Sequence, residues 1–249
     1  MVDVINALLL AYGRTGTTRY LKTGQALLNA LWENTTILFQ GRRVLLPTDA
    51  TDNKYWPIQN IDGSLCQSGK DGLVCPSVQK VVWSPSFLSP QHLKLFAKYD
   101  QAHNWAKAAG DWYALANMVL DAAKNAPATY MENGGINPMP DWVYLAAAAQ
   151  DGIGIEDLHP QSASETEKAM DVLRITIYAG IDARNPAAQT FLARFFEAMG
   201  GTQPGKVIGA DSSSYPGNYN PGPEIAIAAY GAGLQAIGER GVIYNLFAD

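Results

Sequence analysis

The chain contains 249 residues, 47% of them hydrophobic, and has a formal net charge of −5. This composition provides a sizeable core for one large domain over residues 1–249 and excludes a disordered chain. The acidic balance and the lack of Lys/Arg runs leave no basic face for phosphates, so no nucleic-acid partner is expected.

The start of the chain predicts two helices and a hairpin. Residues 3–12 are apolar on nearly every side, which is typical of a buried helix, and Asp3 is placed to cap its N-terminus. After a glycine-containing turn, residues 18–32 have the spacing of an amphipathic helix that covers the first one. The alternation around Gly41 in residues 36–47 predicts a small β-hairpin.

Residues 48–84 are rich in Asp, Asn, Gly, Pro and Ser, which is typical of a functional loop or of a long loop that is held together by its own cross-link. Cys66 and Cys75 are close enough in sequence for a disulfide to close their loop, although the sequence leaves their oxidation state open. The two cysteines match neither a zinc site nor a CxxC motif, and the three histidines are scattered. No metal and no other cofactor is therefore expected.

Two more helices are predicted in the middle of the chain. Ser89 and Pro90 provide the cap and the first position of a helix that ends near residue 99, and residues 103–124 predict an amphipathic helix. His92 and His103 have no partner visible in the sequence, which favours a surface or packing role for both.

The stretch that organises the chain is the predicted helix over 167–180, which begins three residues after Ser164 in a capping-box pattern. Apolar residues occupy both of its sides, so the helix is expected to be buried. Asp171 and Arg174 are three residues apart and share one side of it, where a buried carboxylate must be paired, hydrogen-bonded or protonated. Taken alone, the pair favours a structural ion pair over a catalytic carboxylate with its partner.

Two further helices are predicted over 186–199, which is amphipathic, and over 224–237, which is almost entirely apolar. Apolar helices paired with amphipathic ones, with almost no predicted strand, indicate an all-α fold in which inner helices are covered by outer ones. No apolar run is long enough for a transmembrane helix, and the apolar start lacks the basic flank of a signal peptide. The residues expected at a cleft formed by loops and inner-helix ends are Asp3, Trp83, Asp171, Arg174 and Glu224.

Four segments, in the same order, resemble motifs of family 8 glycoside hydrolases, and most closely the periplasmic endoglucanases that accompany bacterial cellulose synthases. AMDVLRITIYAG at 169–180 resembles the family's YDAIR segment, and SPSFLSP at 84–90 resembles its NPSYLPP. NPMPDWVY at 137–144 resembles SPDWV, and DVINALLLA at 3–11 resembles the end of ASDGDVWMA. The resemblance covers essentially the whole chain, and four co-ordered motifs are more specific than any single one.

The resemblance implies an all-α (α/α)6 barrel that lacks its first hairpins, so that the chain is N-terminally incomplete, and that carries a small β-hairpin. It also implies inverting endo-hydrolysis of β-1,4-glucan, or of chitosan in some members, by a proton donor and a water-activating base about 6.5–9.5 Å apart. By residue match Asp171 is the general base, and Arg174 is expected to bind substrate and to keep that carboxylate ionised.

The sequence departs from the family at both ends. No residue matches the family's general-acid Glu. The family's ASDGDVWMA segment contains two Asp residues. The first, which contacts the sugar, falls at Met1, and only the second is present in this chain, as Asp3. The family's paired tyrosines before the last inner helix are replaced by GPE at 222–224. Stacking of a sugar ring at this place therefore requires Tyr215 or Tyr219 to take over their role. The aromatic residues predicted to line the sugar groove are Trp83, Trp142, Tyr215 and Tyr219.

Two other interpretations stay open at this point. The chain fits a carbohydrate-binding or scaffolding remnant that keeps the cleft wall without the acid, or an unrelated helical-hairpin protein in which Asp171 and Arg174 form a structural pair. If the resemblance holds, it further implies a periplasmic or secreted location and an association with cellulose-synthesis machinery.

Overall fold

The computed structural model describes residues 1–47, 58–60, 66–75, 78–86, 88–125, 143–148, 152–157, 174–182 and 184–198, and most of these residues are helical. The helices are α1 (Val2–Thr15), α2 (Thr18–Thr35), α3 (Pro90–Tyr99), α4 (Trp105–Asn125), α5 (174–181) and α6 (Pro186–Ala198). The strands are β1 (Thr36–Phe39), β2 (Arg42–Leu45), β3 (Ile58–Asn60), β4 (Val78–Trp83), β5 (Val143–Ala148) and β6 (Gly152–Asp157). No helix within these ranges has the length and apolar character needed to cross a membrane.

The chain forms two compact units. Unit 1 comprises Met1–Ser84, Pro90–Trp112 and Tyr144–Glu156. Unit 2 comprises Pro85–Ser89, Tyr113–Val143 and Asp157–Asp249. The organisation of residues 1–249 as one domain stays a prediction.

Helices α1 and α2 pack on each other in unit 1 at a close approach. Ile5 and Leu9 of α1 are fully buried, and a Cβ placed on Gly24 of α2 would lie 3.0 Å from Cδ2 of Leu9. The absence of a side chain at Gly24 therefore lets Leu9 seat against α2. Helix α1 ends at Gly16, whose left-handed conformation (φ 67°) lets its N–H bond to the carbonyl of Tyr12.

Two predictions about α1 are wrong. Met1, and not Asp3, is the N-cap residue, because the first intrahelical bond runs from the Ile5 N–H to the Met1 carbonyl at 3.1 Å. The helix is also not buried all round, because Val4 and Leu10 are 56% and 48% exposed. A helix packed on one side needs burial only along one stripe, and an apolar sequence does not by itself supply neighbours for the other side.

The predicted hairpin is confirmed. Strands β1 and β2 pair antiparallel, with Thr36 opposite Leu45 and Phe39 opposite Arg42. Gln40 and Gly41 form the turn with positive φ angles of 48° and 76°, the combination that a tight two-residue hairpin turn requires.

A disulfide joins Cys66 to Cys75 beside this hairpin, which decides a point that the sequence left open. The loop between the two cysteines is anchored where the Leu73 N–H bonds to the Thr36 carbonyl at 2.6 Å. The loop closed by the disulfide is therefore attached to the hairpin by a backbone hydrogen bond in unit 1.

The prediction of almost no further strand is wrong, because strands β3, β4, β5 and β6 form a four-stranded sheet in that order. Strands β3 and β4 run antiparallel with Ile58 opposite Val81, and the register shifts between Gln59 and Asn60. These strands are three to six residues long, and β5 is half alanine. Such segments carry little alternation of their own, so pairing with distant strands decides their conformation.

In unit 2, the final part of α4 is accompanied by α5 and α6. Helix α6 begins at Pro186, as predicted, and Asn185 caps it by accepting a 3.2 Å hydrogen bond from the Ala187 N–H. Phe191 and Phe195 on α6 are fully buried with ring centroids 5.8 Å apart. Aromatic packing on α6 therefore supplies much of the described core of this unit.

Candidate functional site

Helix α5 (174–181) is the described part of the stretch that was predicted as a helix over 167–180. Ile175, Thr176 and Ala179 are fully buried, whereas Arg174 is exposed and Ile181 is 58% exposed. The prediction of burial on every side is therefore correct for one face and wrong for the opposite one. Arg174 stands at the start of the described segment on the accessible face.

Helix α5 ends at a buried carboxylate. Asp182, 8% exposed, accepts hydrogen bonds on Oδ2 from the hydroxyl of Tyr113 at 2.8 Å and from the side-chain amide of Asn185 at 2.9 Å. The Asn185 N–H also bonds to the Asp182 carbonyl at 2.8 Å. The residue thus fixes the turn between α5 and α6 and joins that turn to α4.

Burial raises the pKa of Tyr113 strongly, and the adjacent Asp182 carboxylate raises it further by hydrogen bonding and charge repulsion. The phenol therefore keeps its proton throughout the physiological range. It acts as a fixed donor to Asp182 and not as an acid or base.

A second set of polar contacts in unit 2 holds α6 to α4. Arg194 of α6 donates a 2.7 Å hydrogen bond to Oδ1 of Asn117 and forms an ion pair with Asp121. Asn117 in turn donates to the carbonyl of Tyr113 at 2.9 Å. Helix α6 is therefore held to α4 by a hydrogen bond and an ion pair as well as by packing.

In unit 1, Asp3 lies exposed in the first turn of α1, where the helix dipole favours a carboxylate. Burial lowers the pKa of His92 on α3, and the negative charge of Asp3 opposes this shift. The ring of His92 stacks on Phe96 at a centroid distance of 6.3 Å. The predicted packing role of His92 fits this contact.

Trp83 closes strand β4 with only 2% of its surface exposed, and its ring meets Trp112 edge-on at a centroid distance of 6.0 Å. A sugar can stack only on an accessible ring face. The geometry therefore describes Trp83 as a packing residue of unit 1, and its predicted sugar contact receives no support from this arrangement.

Sequence reasoning missed a polar cluster between α3 and α4. Asp100 contacts Nδ1 of His103 at 2.7 Å, accepts from Nε1 of Trp105 at 2.7 Å and accepts from the Ala102 N–H at 2.9 Å. The His103 ring stacks on Trp32 at 5.0 Å. The available signal was the spacing of Asp100 and His103, which are three residues apart where one predicted helix ends near residue 99 and the next begins at residue 103.

A second missed cluster centres on Asp111, which is 7% exposed. Its carboxylate accepts from the Arg43 N–H at 2.7 Å and from Nζ of Lys107 at 2.5 Å, with Nη1 of Arg42 at 3.4 Å. These contacts join strand β2 to α4, which indicates a structural role. Across the parts of the chain that the structure describes, no group of three or more His, Cys, Asp or Glu side chains is arranged to hold a metal ion.

The predicted site residues that the structure describes belong to different units. Asp3 and Trp83 belong to unit 1, and Arg174 belongs to unit 2. The remaining predicted residues, Asp171, Trp142, Tyr215, Tyr219 and Glu224, lie outside the described residues.

The fold of the chain is similar to those of known endoglucanases. An endoglucanase from Klebsiella pneumoniae, a family 8 glycosyl hydrolase, aligns with 96% of this chain at a TM-score of 0.55 and 18% identity. A family 8 endo-β-1,4-glucanase from an Achatina fulica gut metagenomic library aligns with 96% of it at 0.53 and 20% identity. An endo-β-1,4-glucanase from Acetobacter xylinum aligns with 99% of it at 0.52 and 17% identity.

The chain has the fold of family 8 glycosyl hydrolases. The resemblance drawn from four sequence motifs is thereby confirmed for the fold. This chain spans 62% of the Klebsiella enzyme, 61% of the metagenomic enzyme and 69% of the Acetobacter enzyme. No protein-family model and no curated protein sequence matches it.

Proposed function

We propose that this chain acts on β-1,4-glucan as an endo-hydrolase of the family 8 type, with an (α/α)6 barrel as its architecture. The observation that carries the proposal is the structural similarity to three endoglucanases over at least 96% of the chain. The motif around Arg174 supports it, because the residue that matches the family's Arg lies exposed on α5.

In this proposal Asp171 is the general base. An inverting mechanism places a carboxylate and a proton donor on opposite sides of the scissile bond, with room for one water beside the base. Asp171 removes a proton from that water as its oxygen attacks the anomeric carbon, and Arg174, three residues later, provides donors for the sugar and for the carboxylate. Further substrate contacts are proposed for Asp3, Tyr215 and Tyr219.

Trp83 carries the least weight among the proposed contacts, because its ring is 2% exposed and would have to be uncovered before it met a sugar. Chitosan would be cleaved by the same reaction, so it is a second substrate class for the proposal. The Cys66–Cys75 disulfide supports a periplasmic or secreted location, since disulfides persist in oxidising compartments. An association with cellulose-synthesis machinery belongs to the same proposal.

A second candidate function, for these 249 residues taken by themselves, is glucan binding without efficient cleavage. No residue of the chain matches the family's general-acid Glu. A glycosidic oxygen is a poor leaving group, and general-acid help accelerates its departure by roughly 10²- to 10⁴-fold. The 249-residue chain is therefore expected to bind glucan better than it cleaves it.

The experiment uses a substrate that needs no proton donor. With 2,4-dinitrophenyl β-cellobioside the leaving phenolate departs unprotonated, so a chain with a working base but no acid still hydrolyses it. We expect release of dinitrophenol by the 249-residue chain, little reducing sugar from carboxymethyl cellulose, and loss of the dinitrophenol signal in Asp171→Asn.

The matched control is Asp121→Asn, which changes a carboxylate that is 61% exposed and paired with Arg194. Equal rates in Asp171→Asn and the unchanged chain would show that the base is assigned wrongly. Retention on a glucan affinity gel without any release of dinitrophenol would instead favour the binding role.

A further inference from the structure

One side of helix α1 is exposed along the length of the helix. The exposed residues that follow one another on this side, called the α1 stripe here, are Asp3, Ala7, Leu10 and Arg14. They are spaced by four, three and four positions, so at about 100° per residue they fall within about 60° of one another around the axis. The fully buried Ile5 and Leu9 lie on the opposite side of the helix.

The spacing of the α1 stripe is that of a helix which packs along another helix. A repeat of four and three residues keeps successive side chains on one seam, as in coiled coils. A single exposed leucine is ordinary, but Leu10 is 48% exposed, Ala7 precedes it on the same seam, and Val4, 56% exposed, widens the apolar surface to one side. Apolar surface that recurs with this spacing indicates a contact with a second helix.

The two charges of the stripe show what kind of helix fits it. Asp3 lies in the first turn of α1 and Arg14 in the last. Each charge suits the dipole of its own helix, but the dipole does not determine the direction of a side chain around the axis, and both charges lie on the same seam as Leu10. Read in the reverse direction, the stripe is again an acid, an apolar middle and a base placed to match it. The stripe is therefore complementary to an antiparallel copy of itself.

We infer that the α1 stripe is an interface with a second copy of this chain, in which the two α1 helices run antiparallel about a two-fold axis midway between Ala7 and Leu10. In this pairing each Asp3 lies opposite Arg14 of the other copy, so that two opposite-charge pairs form. Each Ala7 lies opposite Leu10 of the other copy, and the small side chain leaves room for the large one. The inference goes beyond the proposed function and does not depend on it.

The size of the stripe predicts a weak dimer. It rises about 16 Å from Asp3 to Arg14, and one helix face of this length buries well under the roughly 800 Å² per partner of a stable complex. Ion pairs at an exposed rim add little affinity. A reversible dimer that forms at roughly 10–100 μM is therefore expected.

The test is sedimentation velocity of the 249-residue chain from about 1 to 300 μM. No glucan is present, because Asp3 is also a proposed substrate contact. We expect one reversible step from a single chain to two chains. Leu10→Glu places a carboxylate in the apolar middle of each copy and is expected to weaken association at least about tenfold. The matched control is Leu38→Ser, at a leucine of β1 that is 56% exposed, and it is expected to dimerise like the unchanged chain.

Reversal of the charges tests the antiparallel pairing. Asp3→Arg alone and Arg14→Asp alone place like charges opposite each other at both ends, and each is expected to weaken association about three- to tenfold. The double variant restores opposite charges and is expected to associate within about threefold of the unchanged chain. Circular dichroism establishes that each variant is folded. A double variant as weak as the two single ones would refute the pairing.

Cross-linking gives the orientation independently. The two cysteines of the chain are joined to each other, so new cysteines are the only free thiols. A mixture of Asp3→Cys and Arg14→Cys chains is expected to form a disulfide-linked pair under mild oxidation. Asp3→Cys alone is not, because the two copies of residue 3 would lie about 16 Å apart along the axis, beyond the reach of a disulfide.

Three results would overturn the inference. They are a chain that stays monomeric at every concentration, a dimer that Leu10→Glu leaves unchanged, and growth beyond two chains, which a closed two-fold contact does not allow. None of them bears on glucan hydrolysis, so the proposed function is tested separately.

Discussion

The hydroxyl of Tyr113 on α4 donates a 2.8 Å hydrogen bond to Oδ2 of Asp182, at the residue where α5 ends. Tyr113 is 2% exposed and Asp182 is 8% exposed, so neither group can replace this bond with bulk water. Within unit 2 the bond joins two elements that are 69 residues apart in sequence. The end of the helix that carries Arg174 is therefore held in place from α4.

Removal of this donor is expected to destabilise the protein. Tyr113→Phe keeps the ring but takes one hydrogen bond from a buried carboxylate, which costs about 1–3 kcal/mol of unfolding free energy. Urea denaturation monitored by fluorescence measures the loss. Tyr20→Phe, at a tyrosine that is 37% exposed, is the matched control and is expected to change stability by less than about 0.5 kcal/mol. Equal stability of the two variants would contradict the assigned role.

The same contact predicts how stability responds to alkaline pH. Burial, together with Asp182, raises the pKa of Tyr113 above its ordinary value of 10.0, so above that pH the unfolded chain releases a proton that the folded chain keeps. The stabilisation is complete below about pH 10 and is lost as the pH rises towards the folded-state pKa. Unfolding midpoints between pH 8 and 11 are expected to fall less in Tyr113→Phe than in the unchanged chain. Parallel curves for the two proteins would remove Tyr113 as the source.

The helices and the hairpin were predictable because their signals are local. Ser89 and Pro90 mark the start of α3, Asn185 and Pro186 mark that of α6, and Gly41 marks the hairpin turn. A cap or a turn is recognised within four residues, so the rest of the chain need not be known.

The sheet and the polar clusters were not predictable in the same way, because their partners are distant. Strand β4 pairs with β5 across about sixty residues, and neither segment shows strong alternation. The Tyr113–Asp182 bond likewise has no local signature. The central proposal about Asp171 rests on the motif and on the fold, since that residue lies outside the described part of the chain.

His92 predicts the opposite response at acidic pH. Burial lowers its pKa from 6.5, with Asp3 opposing the shift, so the unfolded chain takes up a proton more readily than the folded chain. The stabilisation is complete above about pH 6.5 and is lost as the pH falls through the folded-state pKa. Asp3→Asn removes the opposing charge and is expected to steepen the loss of stability between pH 7 and 5, whereas His92→Leu is expected to flatten it. Thermal unfolding of the three proteins at both pH values measures the effect, and an unchanged slope in His92→Leu would show that another group is responsible.

Two glycines of unit 1 predict alanine substitutions with opposite effects. Gly72 has a φ of +95°, and a Cβ there would lie 2.6 Å from the Thr36 carbonyl oxygen and 2.6 Å from Nη1 of Arg43. Gly72→Ala must therefore strain the backbone or displace strand β1, at a cost of about 1–3 kcal/mol. Gly110 lies in α4, and a Cβ placed on it would meet no atom within 4 Å apart from its own chain neighbours and the backbone of its own helix, so Gly110→Ala is expected to stabilise the helix by about 0.5–1 kcal/mol. Denaturant midpoints should move in opposite directions, and a neutral Gly72→Ala would mean that the close contact between the disulfide loop and β1 is looser than the structure has it.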